Sequence, residues 1–226
     1  MQAKCQVDMT YGDISKQLFM FTIPILLSQI LQQFYNIADT AIIGRNIGTD
    51  ALAAIGSTGL LISVIVNFFI GLSTGISAVI ANQFGANEYD KLKKSISTSL
   101  AVSVLLGIVF TIGSLIFMKP IINILQTPKG VYSLAIDYLK ICFLGITFQL
   151  LYNIGTAILR ALGNTKDPLY FLIFSCILNL ILDILFIVYF GWGVKGAAIA
   201  TLISQILATL LVMYKIMSLD DNCKLS

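Results

Sequence analysis

Long apolar runs separated by short charged linkers set the pattern of this 226-residue chain. A helix that crosses a bilayer core needs about 20 mostly apolar residues. Six stretches meet that length, at about 18–43, 52–82, 96–118, 132–158, 168–190 and 194–216. Pro24 lies in the first turns of the first stretch and predicts a kink there. The second stretch is overlong, and Gly71 and Gly75 predict bends in it. Charges and turn residues collect between the runs, from Gly44 to Asp50, Gly85 to Lys94, Lys119 to Gly130, Arg160 to Pro168 and Gly191 to Lys195. The pattern predicts an all-α integral membrane protein, a bundle of six transmembrane helices over 18–217. A cytoplasmic tail at 1–17 and a tail or inter-lobe linker at 218–226 flank it. No stretch is low in complexity, and no attached soluble domain is predicted.

Composition agrees with this reading. The chain is 58% hydrophobic and 11% charged, against about 25% charged in soluble domains. A net charge of +3 without a basic run gives nucleic acid nothing to bind. Histidine is absent, which removes His-ligated metals and Ser–His or Cys–His catalysis. Cys5, Cys142, Cys176 and Cys223 form no CxxC pair, and Cys142 and Cys176 read as small apolar fillers. Residues 1–17 carry Asp8 and Asp13 and no apolar h-region, so no cleavable signal is expected. The first span serves as the targeting signal instead, and Met9 offers an alternative start.

Basic residues set orientation. With the N-terminus inside, nine lie on the inner side (Lys4, Lys16, Lys91, Lys93, Lys94, Arg160, Lys166, Lys215, Lys224). Five lie on the outer side (Arg45, Lys119, Lys129, Lys140, Lys195). Both termini are therefore expected in the cytoplasm.

Nine of the eleven acids fall in loops, tails or span ends. Asp137 is near Lys140 and reads as a headgroup-level pair. Asp39 and Asp183 alone sit well within apolar runs, and an ionisable group there is by default a functional candidate. Asn179 precedes Asp183 by four residues and Asn36 precedes Asp39 by three, so each amide shares a helix face with its acid. Gln32 extends the first of these faces. At a rise of about 1.5 Å per residue, Asp183 and Thr201 lie roughly 10 Å, and Asp39 roughly 6 Å, below the outer ends of their spans. If the three spans are neighbours, oxygens of Asp39, Asn179, Asp183 and Thr201 converge. Two carboxylates in a low-dielectric pocket cannot both ionise cheaply, so such a pair holds a proton or shares a cation. Oxygen-only ligands suit a hard ion such as Na⁺. Buried amides can also simply bond helices together, and this alternative stands for Gln32, Asn36 and Asn153 taken singly. Gln32, Tyr35, Asn36 and Asn153 are candidate cavity-lining residues. Small residues at Gly71-Leu72-Ser73-Thr74-Gly75 and Gly196-Ala197-Ala198-Ile199-Ala200 predict close helix approach.

Several of these stretches resemble the multidrug and toxic compound extrusion (MATE) family of cation-coupled efflux transporters. They include Gln33-Phe34-Tyr35-Asn36-Ile37-Ala38-Asp39-Thr40 with Ile43-Gly44-Arg45, then Ala51 to Gly56, and Gly71 to Gly75 leading to Ile80-Ala81-Asn82-Gln83-Phe84-Gly85-Ala86. Arg160 to Pro168, Asn179 to Asp183 and Gly193 to Thr201 come next, in the family's order and spacing. The resemblance implies one six-helix lobe of a V-shaped, twelve-span exporter, in truncated form, corresponding to the N-terminal half. It implies that Asp39, Asn179, Asp183 and Thr201 line the lobe's cation site, with the Ala197 region beside it. A bend in the first span, aided by Pro24, would accompany protonation. The implied function is a H⁺- or Na⁺-coupled multidrug or toxin antiporter lobe in the cell membrane. No cofactor beyond the coupling ion is expected, and no metal beyond Na⁺ at those four residues. Expected partners are membrane lipid, small and often cationic organic substrates, and a missing C-terminal lobe or a second copy. A lipid-linked sugar flippase is disfavoured because no Lys or Arg lies deep in a span. A non-transporting membrane fragment is the other alternative. An enzyme is not expected, since no nucleophile–base pair or phosphate loop is visible.

Overall fold

A computed structural model describes residues 14–124 and 129–219. The expected tails lie mostly outside these residues, as do Cys5, Met9 and Cys223. Seven α-helices succeed one another: α1 Ile14–Asn46, α2 Thr49–Gly85, α3 Tyr89–Ile124, α4 Lys129–Leu144, α5 Ile146–Ala161, α6 Lys166–Asp183 and α7 Gly193–Met217. A π-helical segment, Ile184–Tyr189, continues α6. Counting the bent pair α4 and α5 as one, six spans are long and apolar enough to cross a membrane.

The helices outrun the apolar stretches that announce them. Helix α3 begins seven residues before the expected 96 and ends at Ile124. Its first turns carry Lys91, Lys93 and Lys94, of which Lys91 and Lys94 are exposed. Hydropathy marks what can lie in hydrocarbon, whereas backbone hydrogen bonding sets where a helix stops. The two limits need not coincide.

Helix α5 is the centre of the bundle, buried almost continuously from Ile154 to Leu159. It packs against α2, α3 and α7. The main core joins Phe69 and Ile80 of α2, Leu92 and Ile96 of α3, and Leu139 and Phe143 of α4 to Leu150 and Ile154 of α5. Helix α1 stands at the side, against α6. Its other face leaves Phe19, Phe34 and Ile37 more than 60% exposed. Such exposure suits an apolar solvent and would be a liability in water.

Glycines decide where backbones meet, and only some of the expected ones do. A Cβ on Gly107 would lie 2.8 Å from Thr147 Cα, so that glycine lets α3 touch α5. A Cβ on Gly196 would lie 3.1 Å from Phe186 Cβ, which confirms the close approach expected around Gly196-Ala197-Ala198. The GxxxG of α2 does not behave this way. A Cβ on Gly71 or Gly75 meets nothing within 4 Å, both residues are exposed, and α2 runs unbroken through them. Helix α1 likewise continues through Pro24, where the Ser28 hydroxyl donates to the Pro24 carbonyl (2.8 Å).

The break falls instead at Gly145, where α4 and α5 meet at 45°. The Gly145 N–H donates to the Cys142 carbonyl (3.0 Å). A side chain here would press on Gln205 Oε1, 2.8 Å from an added Cβ. Asp137 also differs from expectation. It pairs with Lys195 at the start of α7 (3.2 Å), not with Lys140, because tertiary packing brings the α7 lysine into range.

Asn164 lies two residues before the start of α6. Its Oδ1 accepts the Asp167 N–H (3.1 Å) and its Nδ2 donates to Asp167 Oδ2 (2.7 Å). Lys215 of α7 closes on the same carboxylate (2.8 Å). One asparagine thus satisfies an orphan helix-start donor and orients the acid that ties α6 to α7.

This packing makes two predictions about stability, each read by thermal denaturation in detergent. Gly107→Ala is expected to destabilise by about 1–3 kcal/mol through overpacking against Thr147, whereas Gly71→Ala is expected to be neutral or mildly stabilising. Asn164→Ala is expected to cost about 1 kcal/mol, as loss of a helix-start acceptor does.

Candidate ion site

Asp183 occupies the last α-helical turn of α6, where the backbone passes into the π segment. Phe190 N–H donates to Leu185 O, five residues back (3.0 Å). Single π turns inside α-helices shift the angular phase of the residues beyond them, and they recur at functional sites. Here Phe186 packs against Trp192, ring centroids 5.0 Å apart, and Phe190 closes a three-ring cluster, 6.1 Å from Phe186 and 5.4 Å from Trp192. Gly191 and Gly193, both at positive φ, turn the chain into α7, a conformation glycine adopts without steric cost.

This hairpin sets Thr201 opposite Asn179. The hydrogen-bond network orients the Asn179 amide: its nitrogen donates to Asp183 Oδ2 (2.7 Å) and its oxygen accepts the Thr201 N–H (3.1 Å). Thr201 Oγ1 donates to the Ala197 carbonyl (3.1 Å). Asn179 and Asp183 are 1% and 0% exposed. Helix α1 then delivers Asp39, whose carboxyl faces that of Asp183. Tyr35, one turn earlier on α1, reaches the Thr201 side chain. Each carboxyl retains one buried oxygen, Asp39 Oδ1 and Asp183 Oδ1, with no hydrogen-bond partner among the described residues.

The structure therefore brings together Asp39, Asn179, Asp183 and Thr201, the four residues singled out from sequence, and adds Tyr35 to them. Gln32 and Tyr35 line a cavity of about 90 Å³ with Asn179 and Thr201. Asn36 and Asn153 line neither this cavity nor the larger one among α2, α4, α5 and α7. Asn36 is exposed, one position past Tyr35 and so about 100° further round the helix. Asn153 is displaced in the same way from Tyr152, and its neighbours Gln149 and Tyr152 line the cavity instead. Sequence reasoning misses Gln149, Ser204 and Gln205. Gln205 lies one turn beyond Thr201 on the same face, a spacing that points to it. For Gln149 the sequence offers no comparable neighbour. The cluster can hold a proton between two acids, or a small hard cation among their oxygens.

Known proteins share this fold. The chain belongs to the MatE family, whose model matches residues 24–185. It is 34% identical over 203 residues to the probable multidrug resistance protein YpnP of Bacillus subtilis, covering 90% of this chain and 46% of that protein. It is 31% identical to a FAD transporter of Shewanella oneidensis, covering 89% and 45%. A crystal structure of a MATE protein in the bent conformation superposes with a TM-score of 0.88 at 29% identity, over 95% of this chain and 48% of that one. An outward-facing MATE structure gives 0.89 and an inward-facing one 0.80. The chain spans about half the length of the relatives it matches.

Asn179 is the group that bridges acid and helix. Asn179→Leu is expected to lower stability by about 1–3 kcal/mol, because it strands Asp183 and the Thr201 N–H together. Asn36→Leu, on the exposed face, is expected to stay within about 0.5 kcal/mol. Melting temperatures of the two variants in the same detergent decide this.

Proposed function

We propose that the chain is the N-terminal lobe of a cation-coupled multidrug exporter, with the Asp39–Asp183 pair as its coupling site. The observation that carries this reading is the pair of facing carboxyls, each with an unpartnered buried oxygen, on two different helices. With a proton or Na⁺ between them, α1 and α6 are held together. Stripped of it, two like charges in a low-dielectric site repel. Helix α1 is the element free to respond, since it packs mainly against α6 and stands outside the main core. Ion loss thus moves α1 away from α6, and ion capture draws it back. That exchange, alternating with substrate, couples the ion gradient to export.

Substrates in this reading are small organic molecules, in line with the drug-export names of the relatives. A second six-helix lobe, or a second copy of this chain, completes the substrate cavity. Exposed Gln29, Gln33 and Asn36 on α1 supply amides to that shared space. No Lys or Arg lines either intralobe cavity, which argues against an anionic, lipid-linked sugar as cargo. The lobe lies in the cell membrane with both termini on the cytoplasmic side.

Dye efflux from cells carrying the transporter in full tests the coupling role. Asp39→Asn and Asp183→Asn are each expected to slow efflux at least about tenfold, the equivalent of 1.4 kcal/mol of coupling; wild-type rates in both would overturn the assignment. Thermal shift then identifies the ion. A melting temperature that rises when Na⁺ replaces choline, and no longer does so in Asp39→Asn, means sodium. An unresponsive wild type means the proton.

A further inference from the structure

A second chamber, of about 120 Å³, lies among α2, α4, α5 and α7. It shares Gln149, Thr201 and Gln205 with the cavity that holds Asn179, so these three side chains form the partition between the two. The rest of the chamber is mostly apolar, with Ile65, Phe69, Ile146 and Leu202 in its walls beside Tyr138 and Cys142. At the partition Gln205 Nε2 donates to Gln149 Oε1. The Gln149 nitrogen and the Gln205 oxygen make no other hydrogen bond among the described residues. A donor and an acceptor thus stand side by side at the polar end of the chamber, on two half-buried side chains. Gly145 keeps them there, because a side chain at that position would drive into Gln205 Oε1.

The chamber's chemistry narrows its occupant. No charged side chain lines it, so an ion would be buried unpaired. Apolar cavities of about 150 Å³ hold a single benzene ring and stay free of water, so this one is sized for one ring at most. A hydroxyl both donates and accepts, which matches the Gln205 oxygen and the Gln149 nitrogen together. We propose that this chamber is a binding site for a neutral, one-ring hydroxylated molecule of phenol type, its ring among the α2 and α7 side chains and its hydroxyl between Gln149 and Gln205. The site is separate from the ion-coupling reading and stands or falls without it. Thr201 and Gln205 belong to both cavities, so an occupant bears on the same face of α7 that supports the ion cluster.

Fluorine NMR of 4-fluorophenol and 4-fluorotoluene with the purified chain in detergent tests this, with protein-free micelles as reference. Saturable binding of 4-fluorophenol is expected, with 4-fluorotoluene about tenfold weaker for want of the hydrogen bonds. Gln205→Leu should erase that preference. Ala198→Leu and Ile65→Trp, which fill the chamber, should abolish binding, while Ser175→Leu in the neighbouring cavity should change it by no more than about twofold. Circular dichroism confirms that each variant is folded. A 4-fluorophenol signal equal to that in empty micelles, equal affinity for the two probes, or binding that survives both filling variants would overturn the proposal. A water-filled chamber gives the first of these outcomes.

Discussion

Two carboxylic acids held together in a low-dielectric bundle constrain everything around them. Bare, they cannot both be charged cheaply, because among the described residues no basic side chain pairs with either. Asp183 is sealed from solvent, and Asp39 closes over it from another helix. The local solution is a neutral bracket. Asn179 donates to one acid and accepts from the backbone of α7, and Thr201 ties its own hydroxyl back to Ala197. None of these groups supplies a compensating charge. An exchangeable ion, as proposed above, would supply that compensation and would make the cluster a switch rather than a structural joint.

The fold divides into a part that can carry such a switch and a part that cannot. Around α5, glycines at 107 and 155 admit backbone and branched side chains so closely that added methyl groups would collide. Packing of that kind has few alternatives. Where α6 begins, Asn164, Asp167 and Lys215 lock α6 to α7. The opposite end of α6 differs. There α6 passes into a π turn, the connection runs through two glycines at positive φ, and aromatic stacking of Phe186 with Trp192 holds the hairpin. Asp183 sits at the boundary between the locked and the adjustable parts of one helix.

Much of this is legible in the sequence, for reasons that also explain what is not. The six spans can be read because hydrocarbon imposes a length on any apolar helix. Asp39 and Asp183 stand out because a carboxylate in an apolar run is costly. Helical spacing puts Asn179 on the face of Asp183, and a shared depth links Thr201 to both. Spacing along one helix fails, however, for contacts between helices. Gly71 and Gly75 have the form of a packing motif, but among the described residues no helix lies against them. Gly145, with no motif around it, is the point where a span breaks, because Gln205 arrives there from α7. Asp137 finds Lys195 rather than Lys140 for the same reason. The π turn leaves no compositional trace, since its residues Ile184 to Tyr189 would serve equally well in an α-helix.

Helix α7 is where these constraints meet. Its first turns are small, and Gly196 lets the Phe186 backbone approach to within contact distance. That approach sets the level at which Thr201 faces Asn179. A larger residue at Gly196 would lift α7 off α6 and open the bracket without touching either acid. One turn beyond Thr201, Gln205 crosses to α5 and meets Gln149, so the helix that supports the ion cluster also closes the second chamber. Small residues therefore do more than allow packing here. They fix the register between two helices, and the geometry of the carboxyl cluster depends on that register.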